Sequence, residues 1–274
     1  MKKHYGELLS GESVNRKNSF AYSPIHLFAI YIIFAFLSFP ACVHAFMSDT
    51  EIAVFQKEIA DKPVGERIAL WTEKFVGTPY DPDPLGEYVT KKAIVADERV
   101  DCMYLSFRAV ELALSLTPDK AIDMALDKRF ITKGRLDSKG NVINYEDRFQ
   151  YGEDMLDSGR WGEEITEQLG KATEIKGSRG KGKVKMVSKK DFLKSIKDSG
   201  TLKSGDFIFF IKAVEKRRAG EIVGHIGIVK IENRGVYLIH AGGFKKKGGE
   251  VKKVRLYDYI NSMPFIGVRV SRIN

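Results

Sequence analysis

Residues 100–116 of the 274-residue chain read VDCMYLSFRAVELALSL. Their apolar side chains continue around much of a helical circumference, and Asp101 is a candidate N-cap, so the pattern predicts a buried helix with Cys102 in its first turn. Free backbone N–H groups at a helix start favour an anion, which lowers a thiol pKa from about 8.5 by one unit or more. We therefore predict that Cys102 is a nucleophile present as thiolate at neutral pH; the alternative is an inert core cysteine.

The segments that precede this helix are predicted to be two short helices and a loop. Apolar residues recur at helical spacing between 48 and 76 with a break at Pro63, and the second helix is expected to end at Gly77. Residues 77–87, GTPYDPDPLGE, hold three prolines and two glycines and predict a rigid loop.

Helices and loops are also predicted for residues 117–170, which contain an aromatic series that includes Tyr145 and Trp161. Residues 171–190 hold eight basic residues and one acid and predict an exposed loop with a solvated basic surface; capture of an anionic polymer is the alternative. No aromatics are interleaved there, which argues against nucleic-acid binding.

After Gly205 the period of the apolar residues changes from 3.6 to 2, which is typical of strands. Gly, Asn and Lys-rich turns separate the strand-like segments. Helices followed by an antiparallel sheet predict an α+β fold. The five predicted strands are 206–212, 224–231, 235–241, 252–259 and 265–272.

Composition and charge limit the class of protein. The formal net charge is +9 and the pI about 9.3, which favours anionic partners. Two cysteines cannot supply a disulfide scaffold, and the chain has no C-x-x-C pair that would indicate a zinc ribbon.

Residues 1–45 are predicted to be a secretory signal. Four basic residues precede an apolar run at 27–37, and a small-residue stretch ending at Ala45 follows it. A retained membrane anchor is the alternative, and lipid attachment at Cys42 is a weaker one. Removing the 45-residue leader leaves residues 46–274 as one domain of 229 residues, exported to the periplasm or cell envelope, with a charge of +7 because the leader carries four basic and two acidic residues. We expect a monomer that meets the membrane only through an uncleaved leader.

Only one cysteine and two histidines follow residue 45, namely Cys102, His225 and His240. If Asn233-Arg234 is a tight turn, residue 232 faces 235 and His240 lies opposite Gly227, so the two imidazoles become diagonal neighbours on one face of a hairpin. One imidazole could then be the base for Cys102 and the other its orienting group. A pair of hydrogen-bonded core histidines is the alternative reading.

Five short motifs occur in an order that is typical of one hydrolase family. They are Gly77-Thr-Pro-Tyr80, Asp101-Cys102 at a helix start, Gly205-Asp206 before an apolar strand, His225-Ile-Gly-Ile-Val and Ile239-His240-Ala. In this order they resemble the NlpC-type papain-like cell-wall hydrolases, over most of residues 60–273. The chain is most similar to the N-acetylmuramoyl-L-alanine amidase-like branch, in Arg99-Val-Asp-Cys102, in Tyr145 to Trp161 and in Leu256 to Arg269.

The resemblance implies a papain-like fold and a role for each matching residue. Cys102 is the expected nucleophile, His225 the general base and His240 the polar orienting residue. Tyr80 is expected to line the nucleophile's side of the cleft and, with Asp101 beside the nucleophile, to border the oxyanion. Met103-Tyr104 replaces the family's usual Ser-Gly, so contacts made by that serine elsewhere do not transfer. Residues 117–200 are longer than in minimal members of the family, and the resemblance implies an insertion that forms a wall of the cleft. Tyr145 and Trp161 within it are candidate substrate contacts, with core aromatics as the alternative.

The expected function is that of an exported thiol hydrolase acting on peptidoglycan or muropeptide fragments. The resemblance favours the amide bond between N-acetylmuramic acid and L-alanine over a D-glutamyl-diamino acid bond. Two further hypotheses are a thiol acyltransferase on the same fold and a non-catalytic wall-binding module. No cofactor or metal is expected, because the thiol and both imidazoles already have organic roles; zinc held by the three side chains is the alternative.

Overall fold

The computed structural model describes residues 46–81, 94–198, 200–244 and 248–274. The predicted leader, residues 1–45, and most of the predicted rigid loop at 77–87 lie outside the described residues. In the described part, seven α-helices accompany three short 3₁₀ turns. The α-helices are α1 (Asp49–Glu58), α2 (Val64–Lys74), α3 (Cys102–Leu114), α4 (Pro118–Lys128), α5 (Gly152–Asp157), α6 (Lys189–Asp198) and α7 (Leu256–Ser262).

Local sequence signals determine where the first three helices begin. Ser48 and Glu51 form a capping box at the start of α1, and Pro63 precedes α2. The Asp101 side chain accepts a 2.7 Å hydrogen bond from the Tyr104 backbone N–H, so α3 begins at Cys102 as predicted. The sequence-based predictions of two N-terminal helices and of a buried helix with Cys102 in its first turn are confirmed.

The described residues form one antiparallel sheet of eight strands in the order β2-β3-β8-β4-β5-β6-β7, with β1 also paired to β8. The fold is therefore α+β, as predicted. The strands are β1 (Glu163–Glu164), β2 (Ala172–Lys176), β3 (Lys183–Ser188), β4 (Phe207–Ile211), β5 (Val223–Glu232), β6 (Gly235–Phe244), β7 (Gly248–Arg255) and β8 (Gly267–Arg272).

The central strand β4 is apolar on both sides because helices cover both faces of the sheet. Phe207, Phe209 and Ile211 pack into the core that α3 shares with the sheet. Ile208 and Phe210 point the other way, into a second core built with α6 and α7. The alternation of a strand explains how one unbroken apolar run, FIFFI, supplies both cores.

The β5–β6 hairpin has the predicted register. Asn233 and Arg234 have φ values of 47° and 63°, as a tight hairpin turn requires, and Glu232 pairs with Gly235. The same register continues to the pair Ile228 and Ile239, next to the two histidines.

The basic stretch 171–190 was predicted to be a loop, and this prediction is wrong. Residues 172–176 and 183–188 form the antiparallel hairpin β2–β3. Val184 and Met186 alternate with exposed lysines and are buried in the core, so the period-2 pattern outweighs the lysine and glycine content. The segment 117–200 accordingly contains three strands as well as helices.

The predicted strand 252–259 is correct only in its first half. Strand β7 ends at Arg255, and residues from Leu256 onward form α7. Leu256 and Ile260 are buried at a spacing of four residues, which suits a helix lying on the sheet.

Candidate functional site

Cys102 lies at the bottom of a cleft of about 450 Å³ between the start of α3 and the start of β5. The backbone N–H of Ile226 donates a hydrogen bond to the thiol. Ile226 directly follows His225 in β5, and both His225 and Cys102 line this cleft. The fold therefore brings Cys102 and His225, which are far apart in sequence, into the same cleft.

Buried ion pairs hold α3 in this position. Asp97 accepts hydrogen bonds from the hydroxyl of Tyr104, at 2.7 Å, and from Nε of Arg108, at 3.0 Å. Further along the helix, the fully buried carboxylate of Glu111 receives two hydrogen bonds from Arg129. Because a buried charge is costly without its partner, these contacts oppose any displacement of the helix.

His225 and His240 are in direct contact. Nε2 of His225 and Nδ1 of His240 are 3.0 Å apart, and the two rings are nearly perpendicular, at 86°. The hairpin register predicted this proximity. Since Nε2 of His225 is engaged with His240, Nδ1 is the ring nitrogen of His225 that remains for a reaction partner.

Aromatic rings enclose the histidine pair. The ring of Phe265 stacks on His225 with an interplanar angle of 9°, and the ring of Tyr259 lies 4.5 Å from that of His240. Burial lowers the pKa of His225 to about 3, with the second imidazole contributing, and lowers the pKa of His240 to about 4, with Lys252 contributing. Both imidazoles are therefore neutral at pH 7.

The structure contradicts the expected low pKa of the Cys102 thiol. Burial raises the pKa of Cys102 to about 12, and the neighbouring Asp101 carboxylate adds to the rise. The backbone N–H groups of Cys102, Met103 and Ile226 act in the opposite direction, and burial outweighs them. The pair at rest is thus a neutral thiol beside a neutral imidazole.

Tyr80 and Asp101 lie beside the nucleophile. Tyr80 lines the cleft, and its backbone N–H donates to the carbonyl of Gly249, which ties this residue to the edge strand β7. Burial and the nearby Cys102 raise the pKa of the Tyr80 phenol, so its hydroxyl keeps its proton and can donate. Burial raises the pKa of Asp101 to about 6, while its side chain serves as the cap of α3.

Tyr145 and Trp161 are not brought to the cleft surface. Trp161 has no exposed surface and packs between Phe107 and Phe207. Tyr145 is buried in a small separate core with Phe130, and the guanidinium of Arg148 covers its ring. These positions fit the core-aromatic alternative for both residues.

One wall of the cleft was not predicted from the sequence. Gln150 and Tyr151 line it immediately before α5, and Arg218 lines it from the loop that leads to β5. Glu221 holds this loop, because its carboxylate accepts the backbone N–H groups of Arg218 and Ala219. No local pattern marks these residues, since they meet only in the folded chain.

Arg218 is an exposed cation in this wall. Within the part of the chain that the structure describes, its guanidinium forms no ion pair. Arg218 thus places an exposed positive charge in the lining of the cleft, which also contains the carboxyl groups of Asp101 and Glu221.

Among the described residues, no group of three or more His, Cys, Asp or Glu side chains is arranged to hold a metal ion. Among the helices in the described ranges, none is long and apolar enough to span a bilayer.

No protein-family model matches the sequence, and no curated protein is similar to it by sequence. Solved structures are similar in fold. An N-acetylmuramoyl-L-alanine amidase from Bacteroides uniformis matches with a TM-score of 0.58 at 19% identity, covering 77% of this chain and 99% of that protein. A Bacteroides fragilis protein named as a candidate xylanase matches with a TM-score of 0.57 at 20% identity, covering 75% and 100%.

A third similar structure is a Legionella pneumophila protein of the family DUF1460. It matches with a TM-score of 0.61 at 14% identity, covering 81% of this chain and 93% of that protein. At these identities the three likenesses establish a shared fold that extends over most of each chain.

Proposed function

We propose that the chain is a thiol-dependent amidase that hydrolyses the bond between N-acetylmuramic acid and L-alanine in peptidoglycan or its fragments. The observation that carries this proposal is the placement of Cys102 at a helix start, in the same cleft as His225. His225 in turn contacts His240, with 3.0 Å between Nε2 of the first ring and Nδ1 of the second. A nucleophile, a base and a third group that orients the base are the components of acyl-transfer enzymes.

The resting protonation states define the first step. The thiol proton passes to Nδ1 of His225 as the sulfur attacks the carbonyl carbon, because neither group is charged beforehand. His240, held against Nε2, fixes the tautomer that leaves Nδ1 free to accept the proton.

Backbone donors at the start of α3 stabilise the oxyanion that forms on the carbonyl oxygen. The N–H groups of Cys102 and Met103 are directed at the thiol side of the cleft, and the protonated phenol of Tyr80 adds a side-chain donor. His225 then returns its proton to the leaving amine as the C–N bond breaks. Water, deprotonated by the same imidazole, hydrolyses the thioester and frees the thiol.

The amidase named among the similar structures supports the choice of bond. Arg218 supports a peptidoglycan stem peptide as the leaving group, because such peptides carry free carboxylates and this guanidinium forms no ion pair with any residue that the structure describes. Export through residues 1–45 and a single catalytic domain at 46–274 complete the proposal.

The proposal is tested by incubating residues 46–274 with defined muropeptides and identifying the products by mass spectrometry. We expect a free N-acetylmuramic acid moiety and a peptide with an N-terminal L-alanine. Products that end at D-glutamate would identify the endopeptidase instead, and no change in any muropeptide would contradict hydrolysis of this polymer.

The matched variant for this experiment is Cys102→Ala. Loss of the sulfur nucleophile is expected to reduce kcat by about 10³-fold or more. Cys102 is partly buried against the core and the change to alanine removes only its sulfur atom, so the free energy of unfolding should fall by about 1–2 kcal/mol and the variant should stay folded. Hydrolysis at the wild-type rate by a folded Cys102→Ala protein would exclude the thiol mechanism.

A further inference from the structure

A side chain helps strand β4 to hold the start of β5, where Val223 pairs with Ile211 and the Ile222 carbonyl accepts from the Lys212 backbone N–H. Opposite this point the register between β4 and β5 shifts at Phe210 and Ile211, which leaves an irregular segment just before His225. The backbone N–H groups of Ile222 and Val223 donate to the two carboxylate oxygens of Glu153, each at 3.1 Å. One carboxylate thus fixes two successive peptide groups that lead into the strand carrying His225.

Glu153 is a charged residue with no exposed surface, and its charge has a partner. Nη1 of Arg179 lies 3.0 Å from Oε1 of Glu153, and Nη2 lies 2.8 Å from Asp154. The guanidinium also lies 3.5 Å from the ring centre of Tyr151, which lines the cleft. Arg179 therefore links the tip of the β2–β3 hairpin to α5, to the start of β5 and to the cleft wall.

Helix α5, which carries Glu153, packs closely against β5. A Cβ placed on Gly152, the first residue of α5, would meet a methyl group of Val223 at 2.7 Å, so the helix lies directly against the strand. The hydroxyl of Ser178, next to Arg179, donates to the carbonyl of Gly220 and attaches the hairpin tip to the same loop. The segment before His225 is thus held from two sides.

We propose that Glu153 and Arg179 are positioning residues that fix the start of β5 and thereby hold the His225 imidazole in line with Cys102. This inference rests on the proposed function only in taking His225 as the base. It gives the β2–β3 hairpin a role in catalysis, although the hairpin contributes none of the reacting groups.

The central test compares Arg179→Ala, Arg179→Lys and the control Lys183→Ala. Arg179 has a φ of 53°, and alanine and lysine also carry a Cβ, so neither replacement alters the backbone strain at the turn. Lys183 lies on the same hairpin, pairs with Glu174 at 2.8 Å and is exposed, so its removal weakens the hairpin surface without touching Glu153.

For Arg179→Ala we expect kcat to fall about 10- to 100-fold, because a base displaced by a fraction of an ångström transfers its proton poorly. KM should change by about threefold or less, since the variant retains every group that contacts substrate. Arg179→Lys should recover most of kcat, because an ammonium group can still pair with the buried carboxylate. Lys183→Ala should match the wild type.

A second measurement does not depend on the substrate. His225 and His240 are the only histidines after residue 45, so a ¹⁵N–¹H spectrum of the imidazole nitrogens reports on this pair alone. The wild type should show two neutral rings of fixed tautomer, and Arg179→Ala should show His225 exchanging between tautomers, while Lys183→Ala keeps the wild-type spectrum.

The two proposals fail in different ways. If the wild type cleaves no muropeptide, the proposed function fails, and the imidazole spectra still test the positioning role. If folded Arg179→Ala keeps wild-type kcat and wild-type imidazole signals, the positioning role is overturned. A loss of kcat that Arg179→Lys does not recover, or that Lys183→Ala shares, would also overturn it, because the effect would then be one of general hairpin stability.

Discussion

The thiol of Cys102 is subject to two opposing influences on its pKa. The N–H groups at the start of α3 stabilise a thiolate, while exclusion of water and the Asp101 carboxylate destabilise it. The sequence reveals the first influence, because a cysteine after an N-cap residue is visible in the chain. It does not reveal the second, because water is excluded by β5 and by cleft walls that are distant in sequence.

The raised pKa of the Cys102 thiol predicts slow alkylation by iodoacetamide at pH 6 to 7. The thiol pKa of about 12 leaves less thiolate than in a free cysteine, whose pKa is about 8.5, so Cys102 should react more slowly than a cysteine in a peptide. The second-order rate constant, measured by mass spectrometry against glutathione, tests this. A faster reaction than that of glutathione would mean that a thiolate–imidazolium pair exists at rest.

Replacements at His240 should differ according to their ability to hold a hydrogen bond. The role assigned to His240 is to engage Nε2 of His225, and an asparagine can provide such a contact whereas an alanine cannot. We therefore expect His240→Asn to retain about tenfold more activity than His240→Ala, and His225→Ala and His225→Asn both to be inactive. Steady-state hydrolysis by the four purified variants measures this, and equal activity of the two His240 variants would exclude the orienting role.

At the scale of secondary structure, the elements predicted correctly are those specified by neighbouring residues. The Asp101 cap placed α3, and Asn233-Arg234 fixed the register that brings the two histidines together. The β2–β3 hairpin was missed because its lysines suggested a solvated loop, whereas partners elsewhere in the chain neutralise them. Lys185 pairs with Glu167 at 2.7 Å, for example. Likewise, only the fold brings Glu153 to the start of β5.

The β5–β6 turn provides a prediction at the same scale. Arg234 has a φ of 63°, where glycine is free of the steric penalty that a Cβ imposes. Arg234→Gly should therefore raise the free energy of unfolding by about 0.5–1 kcal/mol, and Arg234→Val should lower it by at least as much. Urea denaturation measures both. A destabilising Arg234→Gly would show that the side chain matters more than the backbone conformation of the turn.

In the basic stretch 171–190, ion pairs with carboxylates partly compensate the positive charge. Four of the eight basic residues in 171–190 pair with carboxylates, and Lys189 donates to the carbonyl groups of Asn261 and Met263. These contacts join the hairpin and α6 to the rest of the fold. They leave less free charge for binding an anionic polymer than the composition suggests.

The buried histidine pair couples the stability of the whole domain to pH. In the folded state the pKa values of His225 and His240 are lowered to about 3 and 4, whereas an unfolded histidine has a pKa of about 6.5. The unfolded chain therefore binds more protons, so stability is full above pH 6.5 and is lost as pH falls toward 4, by up to about 1.4 kcal/mol per pH unit for each histidine. Asp101, whose pKa is raised to about 6, acts in the opposite direction below pH 6 and reduces this slope. Urea denaturation at pH 7.5, 6.5 and 5.5 should show a clear loss for the wild type and a smaller loss for His225→Gln, which lacks one titrating group. Identical pH dependence in the two proteins would mean that the pKa of His225 is the same in the folded and unfolded chain, and burial would then not lower it.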